Sequence, residues 1–182
     1  MKQLEQVLGG VQLLEPKLFG DDRGWFLESY NAARFAELGL PTTFVQSNLS
    51  RSRRGVLRGL HYQWPNPQGK LVQVVEGEVF DVAVDIRRGS STFGRWFGAN
   101  LSAANHRQMY VPEGFAHGFA VLSEWATFSY LCTAIYDHPN DRGVRWNDPA
   151  IGVDWPLDEP SLSEKDGVSP LLADIPADQL PD

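Results

Sequence analysis

Histidine can both bind a metal ion and transfer a proton near neutral pH, and the chain has four histidines, His61, His106, His117 and His138. Metal-binding β-barrels usually place two histidines one residue apart on a strand, because alternation then aims both rings at one centre. No histidine here has a second one two positions away. The spacing argues against a metal site, so a metal-dependent oxygenase or isomerase is the less favoured alternative. For His117, a structural role at a strand start is a further alternative.

Acid–base chemistry is the second hypothesis, because lysine, tyrosine and carboxylate groups also stand on or beside strand-like segments. These groups are Lys70, which opens KLVQVVE, Tyr130 inside WATFSYLCT, and Asp166 in SEKD. His61 ends RGVLRGLHY, where strict alternation would put it on the opposite face from Arg58. Gly59 lies between them and predicts a β-bulge that breaks the alternation.

Most of the chain predicts short strands joined by turns, since its 17 Gly and 12 Pro are spread along the whole length. The clearest pattern is KLVQVVEGEVFDVAVDI, which predicts a hairpin with one apolar face, its strands at 71–75 and 80–86 joined by a turn at 76–78. Further strands are predicted at 11–15, 25–30, 44–49, 55–63, 95–101, 107–111, 118–122 and 126–135. A helix is predicted at 31–38, with Asn31 as its N-cap.

About ten short strands without an internal repeat predict an all-β fold, a jelly-roll (cupin-like) sandwich or barrel with one or two short helices. Such a fold encloses a pocket between two sheets. From about residue 137 the sequence becomes dense in Pro, Asp and Trp, and apolar residues such as Trp146 and Trp155 predict a structured segment that wraps over the barrel. Residues 1–182 are expected to form this single domain.

Composition and charge narrow the class of protein. The 16 Lys+Arg stand against 23 Asp+Glu, and the net charge of -7 opposes binding to nucleic acid or to an anionic membrane. Four clustered arginines suit a small anion or a solvated loop: Arg51, Arg53, Arg54 and Arg58. No apolar run approaches the ~20 residues of a membrane span and no export signal is recognisable, so a cytoplasmic location is expected. The single cysteine, Cys132, cannot form an internal disulfide.

Seven segments together resemble a known enzyme family: GDDRGWFLESY, QSNLSRS, RGVLRGLHYQ, QGKLVQVVEGEVFDVAVDIRRGSSTFG, YVPEGFAHGF, RWNDPAIGVDWP and LSEKD. They lie in order within a match that runs from about residue 7 to about residue 167, over which the chain is similar to the dTDP-4-dehydrorhamnose 3,5-epimerases of dTDP-L-rhamnose biosynthesis. The resemblance implies a jelly-roll enzyme without cofactor or metal. Its implied reaction inverts both carbons beside the ketone of dTDP-4-dehydro-6-deoxy-D-glucose, giving dTDP-4-dehydro-L-rhamnose.

The resemblance also implies catalytic roles. His61 matches the base, and Asp166 the carboxylate that orients it. Lys70 matches the cation that holds the enolate oxygen, and Tyr130 matches the acid that returns a proton from the opposite face. Many relatives have a lysine directly after this tyrosine, where the present chain has Leu131.

Substrate-binding positions are implied in the same way. The matching residues are Gln46 and Asn48 in the pocket, Arg58 at the diphosphate, His117 near the sugar, Asp141 where glutamate is common, and Lys165 beside the catalytic aspartate. Three more match nucleotide contacts made in a neighbouring subunit: Arg23, Phe26 and Glu28. The resemblance therefore implies a homodimer with an exchanged N-terminal segment.

Three alternatives stay open at this point. A single-carbon (3- or 5-) epimerase or a ketoisomerase on a related dTDP-4-keto sugar could use the same catalytic groups. A metal-dependent cupin would lose activity with a strong chelator. A non-catalytic sugar-nucleotide-binding or glycan-binding module would bind without exchanging protons, although binding alone does not require a complete acid–base set.

Overall fold

A computed structural model describes residues 1–182, and its regular structure is almost entirely β. The thirteen strands are Lys2–Val7 (β1), Val11–Glu15 (β2), Leu18–Asp21 (β3), Gly24–Leu27 (β4), Gln46–Arg53 (β5), Leu57–Gln63 (β6), Lys70–Glu76 (β7), Glu78–Asp85 (β8), Trp96–Ser102 (β9), Gln108–Val111 (β10), Phe115–Val121 (β11), Trp125–Cys132 (β12) and Asp141–Gly143 (β13). The two α-helices are short, Ala32–Glu37 (α1) and Glu164–Gly167 (α2), and single 3₁₀ turns cover His138–Asn140, Leu172–Asp174 and Ala177–Gln179. None of these helices has the length and apolar character to cross a bilayer. The all-β prediction is confirmed.

Two antiparallel sheets form the body of the molecule. One has six strands in the order β1-β2-β10-β7-β12-β5, and the other has five in the order β13-β6-β11-β8-β9. Strands β3 and β4 pair only with each other. Apart from the pairs β1–β2 and β8–β9, neighbouring strands in each sheet are not consecutive in the sequence, as expected for a jelly roll.

The predicted hairpin at 71–75 and 80–86 is wrong, although both strands exist. Strand β7 lies in the six-stranded sheet and β8 in the five-stranded sheet, so the chain crosses between sheets at Gly77. This glycine has φ +79, and a Cβ there would lie 2.0 Å from the Trp125 carbonyl oxygen. The crossing thus requires glycine both for its backbone angle and for the close approach of β12.

Strand β8 is buried on both faces, whereas the predicted hairpin had only one apolar face. Its residues Val79 and Ala83 pack between the sheets, together with Phe128. Its residues Val82 and Val84 belong to a second cluster outside the five-stranded sheet. That cluster also contains Val144, Ile151, Leu172, Ile175 and Leu180 of the C-terminal segment, which therefore covers the outer face of the sheet.

The remaining differences concern boundaries and weak strands. The predicted strand at 25–30 ends at Leu27, and the one at 126–135 ends at Cys132. Strands β1, β3 and β13 were not predicted, because they are short or mostly exposed and show no clean alternation. The predicted N-cap of α1 is confirmed, since the Asn31 side chain accepts hydrogen bonds from the backbone N–H groups of Ala33 and Arg34.

Candidate active site

A cavity opens between the two sheets at the end where β6, β7 and β12 meet. The inner cavity, as we call it, is lined by Ser50, Arg58, His61, Lys70, His117, Phe119, Phe128 and Tyr130. An adjoining mouth is lined by Gln46, Asn48, His61, Tyr62, Gln63, Gln68, Lys70, Tyr130, Tyr136 and Asp141. Three of the four predicted catalytic residues, His61, Lys70 and Tyr130, line both regions.

A bulge in β6 brings Arg58 and His61 into the same cavity. In the pairing with β11, His61 faces His117 and Arg58 faces Phe119, so two residues of β6 stand opposite one of β11. Gly59 has φ +130, and a Cβ there would lie 2.5 Å from Gly118 Cα. The bulge predicted at this glycine is confirmed.

His61 is paired with Asp166 at the wall of the cavity. His61 Nε2 lies 2.5 Å from Asp166 Oδ1, although the two residues are 105 positions apart in the sequence. The Asp166 side chain is 3% exposed, and its backbone N–H donates to the N-capping Ser163 hydroxyl. Burial raises the pKa of Asp166, but hydrogen bonds from His61, Ser163 and Gly59 outweigh it and hold the pKa below its usual value. An ionised Asp166 fixes the tautomer of His61 and leaves Nδ1 as a proton acceptor.

Lys70 and Tyr130 lie on neighbouring strands of the six-stranded sheet, and burial shifts both pKa values. Burial lowers the pKa of Lys70, and the nearby Cys132, Asp141 and Asp81 partly counteract this decrease. Burial also raises the pKa of Tyr130. Tyr130 consequently keeps its proton at neutral pH, as an acid must.

A second histidine–carboxylate pair lies deeper in the cavity. His117 Nε2 is 2.9 Å from Asp81 Oδ1, and the two side chains are 8% and 0% exposed. The His117 ring is stacked near Phe128, with centroids 6.0 Å apart. Arg58 reaches the same cavity and donates a hydrogen bond from Nε to the Ser52 hydroxyl at 3.0 Å.

The mouth is organised by hydrogen bonds among its polar residues. The Gln46 amide donates to Asn48 Oδ1 at 3.0 Å, and its oxygen accepts the Tyr136 backbone N–H at 2.7 Å. The Tyr136 hydroxyl donates to Asp141 Oδ2 at 2.9 Å, and the Lys165 ammonium also pairs with that oxygen. The predicted residues Gln46, Asn48, Asp141 and Lys165 thus form one connected group.

Three predicted binding residues do not reach this cavity within one chain. Arg23 pairs with its neighbour Asp21 at 2.5 Å, and Arg23 and Phe26 line a separate surface groove on the β3–β4 hairpin. Glu28 instead accepts a hydrogen bond from Asn31 and pairs with Arg34 near the start of α1. The cavity of a single chain is therefore built without them.

Two residues of the site were missed from the sequence. Asp81 stands in the alternating stretch EVFDVAVD, on the side opposite Phe80, Val82 and Val84, and this alternation alone does not distinguish a buried carboxylate from an exposed one. Tyr136 stands just beyond β12, in a stretch without periodicity, and nothing in the sequence pattern distinguished it. No group of three or more His, Cys, Asp or Glu side chains lies close enough together to hold a metal ion.

The fold and the cavity define a class of protein, a cupin-like jelly roll with a histidine, a lysine and a tyrosine in one acid–base site. A family model described as dTDP-4-dehydrorhamnose 3,5-epimerase matches residues 5–174. The chain belongs to this family, whose members are isomerases.

Individual relatives are similar over nearly the whole chain. A dTDP-4-dehydrorhamnose 3,5-epimerase of Pseudomonas aeruginosa is 57% identical over 96% of this chain and 97% of its own length. A solved dTDP-6-deoxy-D-glucose-3,5-epimerase of Legionella pneumophila, in complex with dTDP-4-keto-L-rhamnose, is 53% identical, with a TM-score of 0.92 over 94% of this chain and 92% of that one. A dTDP-4-dehydrorhamnose 3-epimerase of Streptomyces niveus is 44% identical over 91% of this chain and 81% of its own length.

Proposed function

We propose that this protein is a 3,5-epimerase that converts dTDP-4-dehydro-6-deoxy-D-glucose into dTDP-4-dehydro-L-rhamnose. The observation that carries the proposal is that His61, Lys70 and Tyr130 line one cavity, in a chain of the 3,5-epimerase family. A base, a cation and an acid around one space are what enolisation and reprotonation beside a ketone require.

The reaction begins when His61 removes the proton from a carbon next to the ketone. The Asp166 carboxylate holds the proton of His61 on Nε2, so Nδ1 is the accepting nitrogen. The same carboxylate stabilises the imidazolium that forms, because the pair then carries opposite charges at hydrogen-bond distance. The electrons of the broken C–H bond move onto the ketone oxygen and give an enolate.

Lys70 stabilises the enolate oxygen. Its ammonium group lies in a cavity shielded by two sheets, where a charge interacts more strongly than in water. Since the ketone is neutral in the substrate, this interaction is stronger in the transition state than in the ground state, which is the condition for faster chemistry.

Tyr130 completes the inversion. Its hydroxyl donates a proton to the same carbon from the other side of the ring, and the enolate electrons form the new C–H bond. Tyr130 is then a phenolate and His61 an imidazolium, so solvent takes one proton from His61 and returns one to Tyr130. A proton of solvent origin therefore reaches each inverted carbon.

The nucleotide part of the substrate is assigned to residues of both the inner cavity and the mouth. Arg58 is assigned to the diphosphate, since its guanidinium forms charge-assisted hydrogen bonds with phosphate oxygens. The other contacts are assigned to Gln46, Asn48, Asp141, Lys165 and, near the sugar, His117. The Tyr136 ring, 48% exposed at the mouth, adds an aromatic surface for the base.

The active form is proposed to be a homodimer whose β3–β4 hairpins are exchanged. Neither strand of the hairpin pairs with the main sheets, and its aromatic residues Trp25 and Phe26 are 59% and 66% exposed. On the outer face of the six-stranded sheet, Leu49 and Val75 are also 68% and 52% exposed. Apolar groups so exposed mark an interface, and a second copy of the chain would bring Arg23 and Phe26 to the partner's mouth.

Proton NMR in deuterated water tests the reaction. The expected result is that the substrate gains deuterium at both carbons beside the ketone and that product with both centres inverted accumulates. A rhamnose-forming reductase with NADPH then consumes this product. No deuterium incorporation by folded protein would contradict the proposal.

A single-carbon epimerase or a ketoisomerase is the second candidate. The similarity to a protein named a 3-epimerase favours the single-carbon reaction over the ketoisomerase. Deuterium at one carbon only would select it, since both reactions use the same acid–base groups.

The single-domain organisation, the cytoplasmic location and the independence from metal stay predictions. A strong chelator tests the independence from metal, because a metal-dependent enzyme would lose its activity.

A further inference from the structure

The Asp81–His117 pair takes no part in the proton transfers of the proposed reaction. Asp81 is completely buried, and only its Oδ1 has a hydrogen-bond partner, His117 Nε2. The second oxygen, Oδ2, is buried without any partner. An ionised carboxylate in this position lacks the hydrogen bonds that normally compensate its burial.

The pair can hold one proton or two. With one proton, Asp81 is a carboxylate, His117 is neutral with its hydrogen on Nε2, and His117 Nδ1 can only accept a hydrogen bond. With two protons the pair is neutral overall, either as carboxylic acid and imidazole or as carboxylate and imidazolium. In both of these forms His117 Nδ1 carries a hydrogen and donates it.

The surroundings favour the state with two protons. Four titratable groups line the cavity around the pair: Arg58 and His61 on β6, Lys70 on β7 and Tyr130 on β12. The positive charge of Lys70 favours an ionised Asp81, but burial opposes it. Burial raises the pKa of Asp81, and His117 and Lys70 offset only part of this rise.

The other ring nitrogen of His117, Nδ1, has no hydrogen-bond partner within the chain. His117 lines the inner cavity with Lys70 and Tyr130, and its only side-chain hydrogen bond is the one to Asp81. A hydrogen on Nδ1 therefore has no acceptor within the chain. An oxygen that gains negative charge in the reaction is the acceptor that such a donor stabilises most.

We propose that the Asp81–His117 pair carries two protons at neutral pH, so that His117 Nδ1 donates a hydrogen bond to the enolate oxygen together with Lys70. In this scheme His117 is a catalytic residue and Asp81 is a positioning residue that fixes which nitrogen faces the substrate. The identity of the acceptor rests on the proposed function, whereas the proton count is a property of the free protein.

Nitrogen NMR of the ligand-free protein tests the proton count. Histidines are labelled with ¹⁵N, and the signals of His117 are assigned by their loss in His117→Asn. The expected result at pH 7 is a protonated Nδ1. A Nδ1 that is unprotonated while Nε2 carries the hydrogen would overturn the proposal, whatever the protein catalyses.

Exchange kinetics test the catalytic part. His117→Leu is expected to lower kcat by about 10²–10³-fold with little change in dTDP affinity, as for the loss of one oxyanion donor. Asp81→Asn keeps a group that donates to His117 Nε2, so its kcat should stay within about tenfold of the wild-type value. Asp81→Leu removes the orienting partner of the histidine, so its kcat should fall further. Unchanged kcat in His117→Leu, or equal losses in both Asp81 variants, would refute these roles. Absence of exchange in the wild type would instead count against the proposed function.

Discussion

Among single residues, Tyr130 has a role that the removal of one oxygen atom can test. In Tyr130→Phe, His61 can still remove a proton and, after exchange with solvent, return a deuteron to the same face. We expect deuterium to enter the substrate without inversion, while product formation falls by about 10²–10⁴-fold. Proton NMR in deuterated water follows both events in one sample.

Tyr136→Phe is the matched control, because it removes a phenolic oxygen from the mouth instead of the inner cavity. We expect it to weaken substrate binding through Asp141, whose hydrogen bond it loses, and to leave the ratio of exchange to inversion unchanged. Equal losses of exchange and inversion in Tyr130→Phe would assign the acid to another group.

The titration of Lys70 is expected to make the activity depend on pH. Its ammonium must be charged to stabilise the enolate, and burial lowers its pKa from the usual 10.5. Activity should therefore fall as the pH rises through this lowered pKa, before Tyr130, whose pKa is raised, loses its proton. In Lys70→Arg the guanidinium stays charged up to about pH 12, so the alkaline fall should move to higher pH.

The plateau rate of Lys70→Arg is expected to be lower than that of the wild type, because a planar fork does not replace a compact ammonium group. The pH at which activity falls thus reports the pKa of the side chain at position 70, and the plateau rate reports how well that side chain stabilises the enolate. If the alkaline fall stays at the same pH in both proteins, the group that titrates is not Lys70.

At the scale of elements, the bulge of β6 and the facing strand β11 position two functional side chains at once. In Gly59→Ala, the Cβ would lie 2.5 Å from Gly118 Cα, in a backbone region that L-residues rarely adopt. We expect a loss of about 1–3 kcal/mol in the free energy of unfolding, typical of overpacking, and a larger relative loss of exchange as Arg58 and His61 shift. Urea unfolding and the deuterium assay measure the two effects.

Gly89→Ala serves as the control for this substitution. Nothing lies within 4 Å of its added Cβ, and its backbone angle is not in the left-handed region. Its stability and exchange rate should match those of the wild type. A Gly59→Ala protein as stable and as active as this control would show that the bulge does not need glycine.

The elements also show what a sequence pattern can predict. Alternation located β6, β8 and β12 to within a few residues, because each strand buries one or both faces. It could not assign strand partners, so the turn at Gly77 was interpreted as a hairpin although it joins two sheets. Partner choice depends on the packing of distant segments, which local alternation does not contain.

The site, like the fold, could be predicted only in part. Lys70 and Tyr130, which lie on strands, line one cavity, as the family resemblance implied. Asp81 was missed because its importance comes from burial opposite His117, a contact between residues 36 positions apart. Arg23 could not be placed at the cavity, because its proposed site lies in a second molecule.

At the scale of the whole molecule, the proposed homodimer with exchanged hairpins predicts complementation between two inactive variants. Arg23→Ala lacks the residue contributed to the partner, and His61→Ala lacks the base of its own cavity. A mixed dimer contains one complete site, formed by His61 of one protomer and Arg23 of the other. After joint refolding in equal amounts, about a quarter of the sites should be complete by random pairing of a symmetric dimer.

Substrate turnover of the mixture, compared with each variant alone, measures this recovery. The control is a mixture in which one protein carries both substitutions and the other is Arg23→Ala, since no pairing then restores a complete site. Activity that does not rise on mixing, in a sample shown to contain mixed dimers, would mean that the hairpin serves its own chain.

The distance along the chain between His61 and Asp166 has a consequence during protein synthesis. The base and its carboxylate are 105 residues apart, and the covering layer over β8 extends from Val144 to Leu180. A ribosome-bound nascent chain that has released only its first 150 residues has neither the partner of the base nor most of this layer. We therefore expect catalysis to start only when translation is nearly finished, and prematurely terminated products to be inert towards the nucleotide sugar.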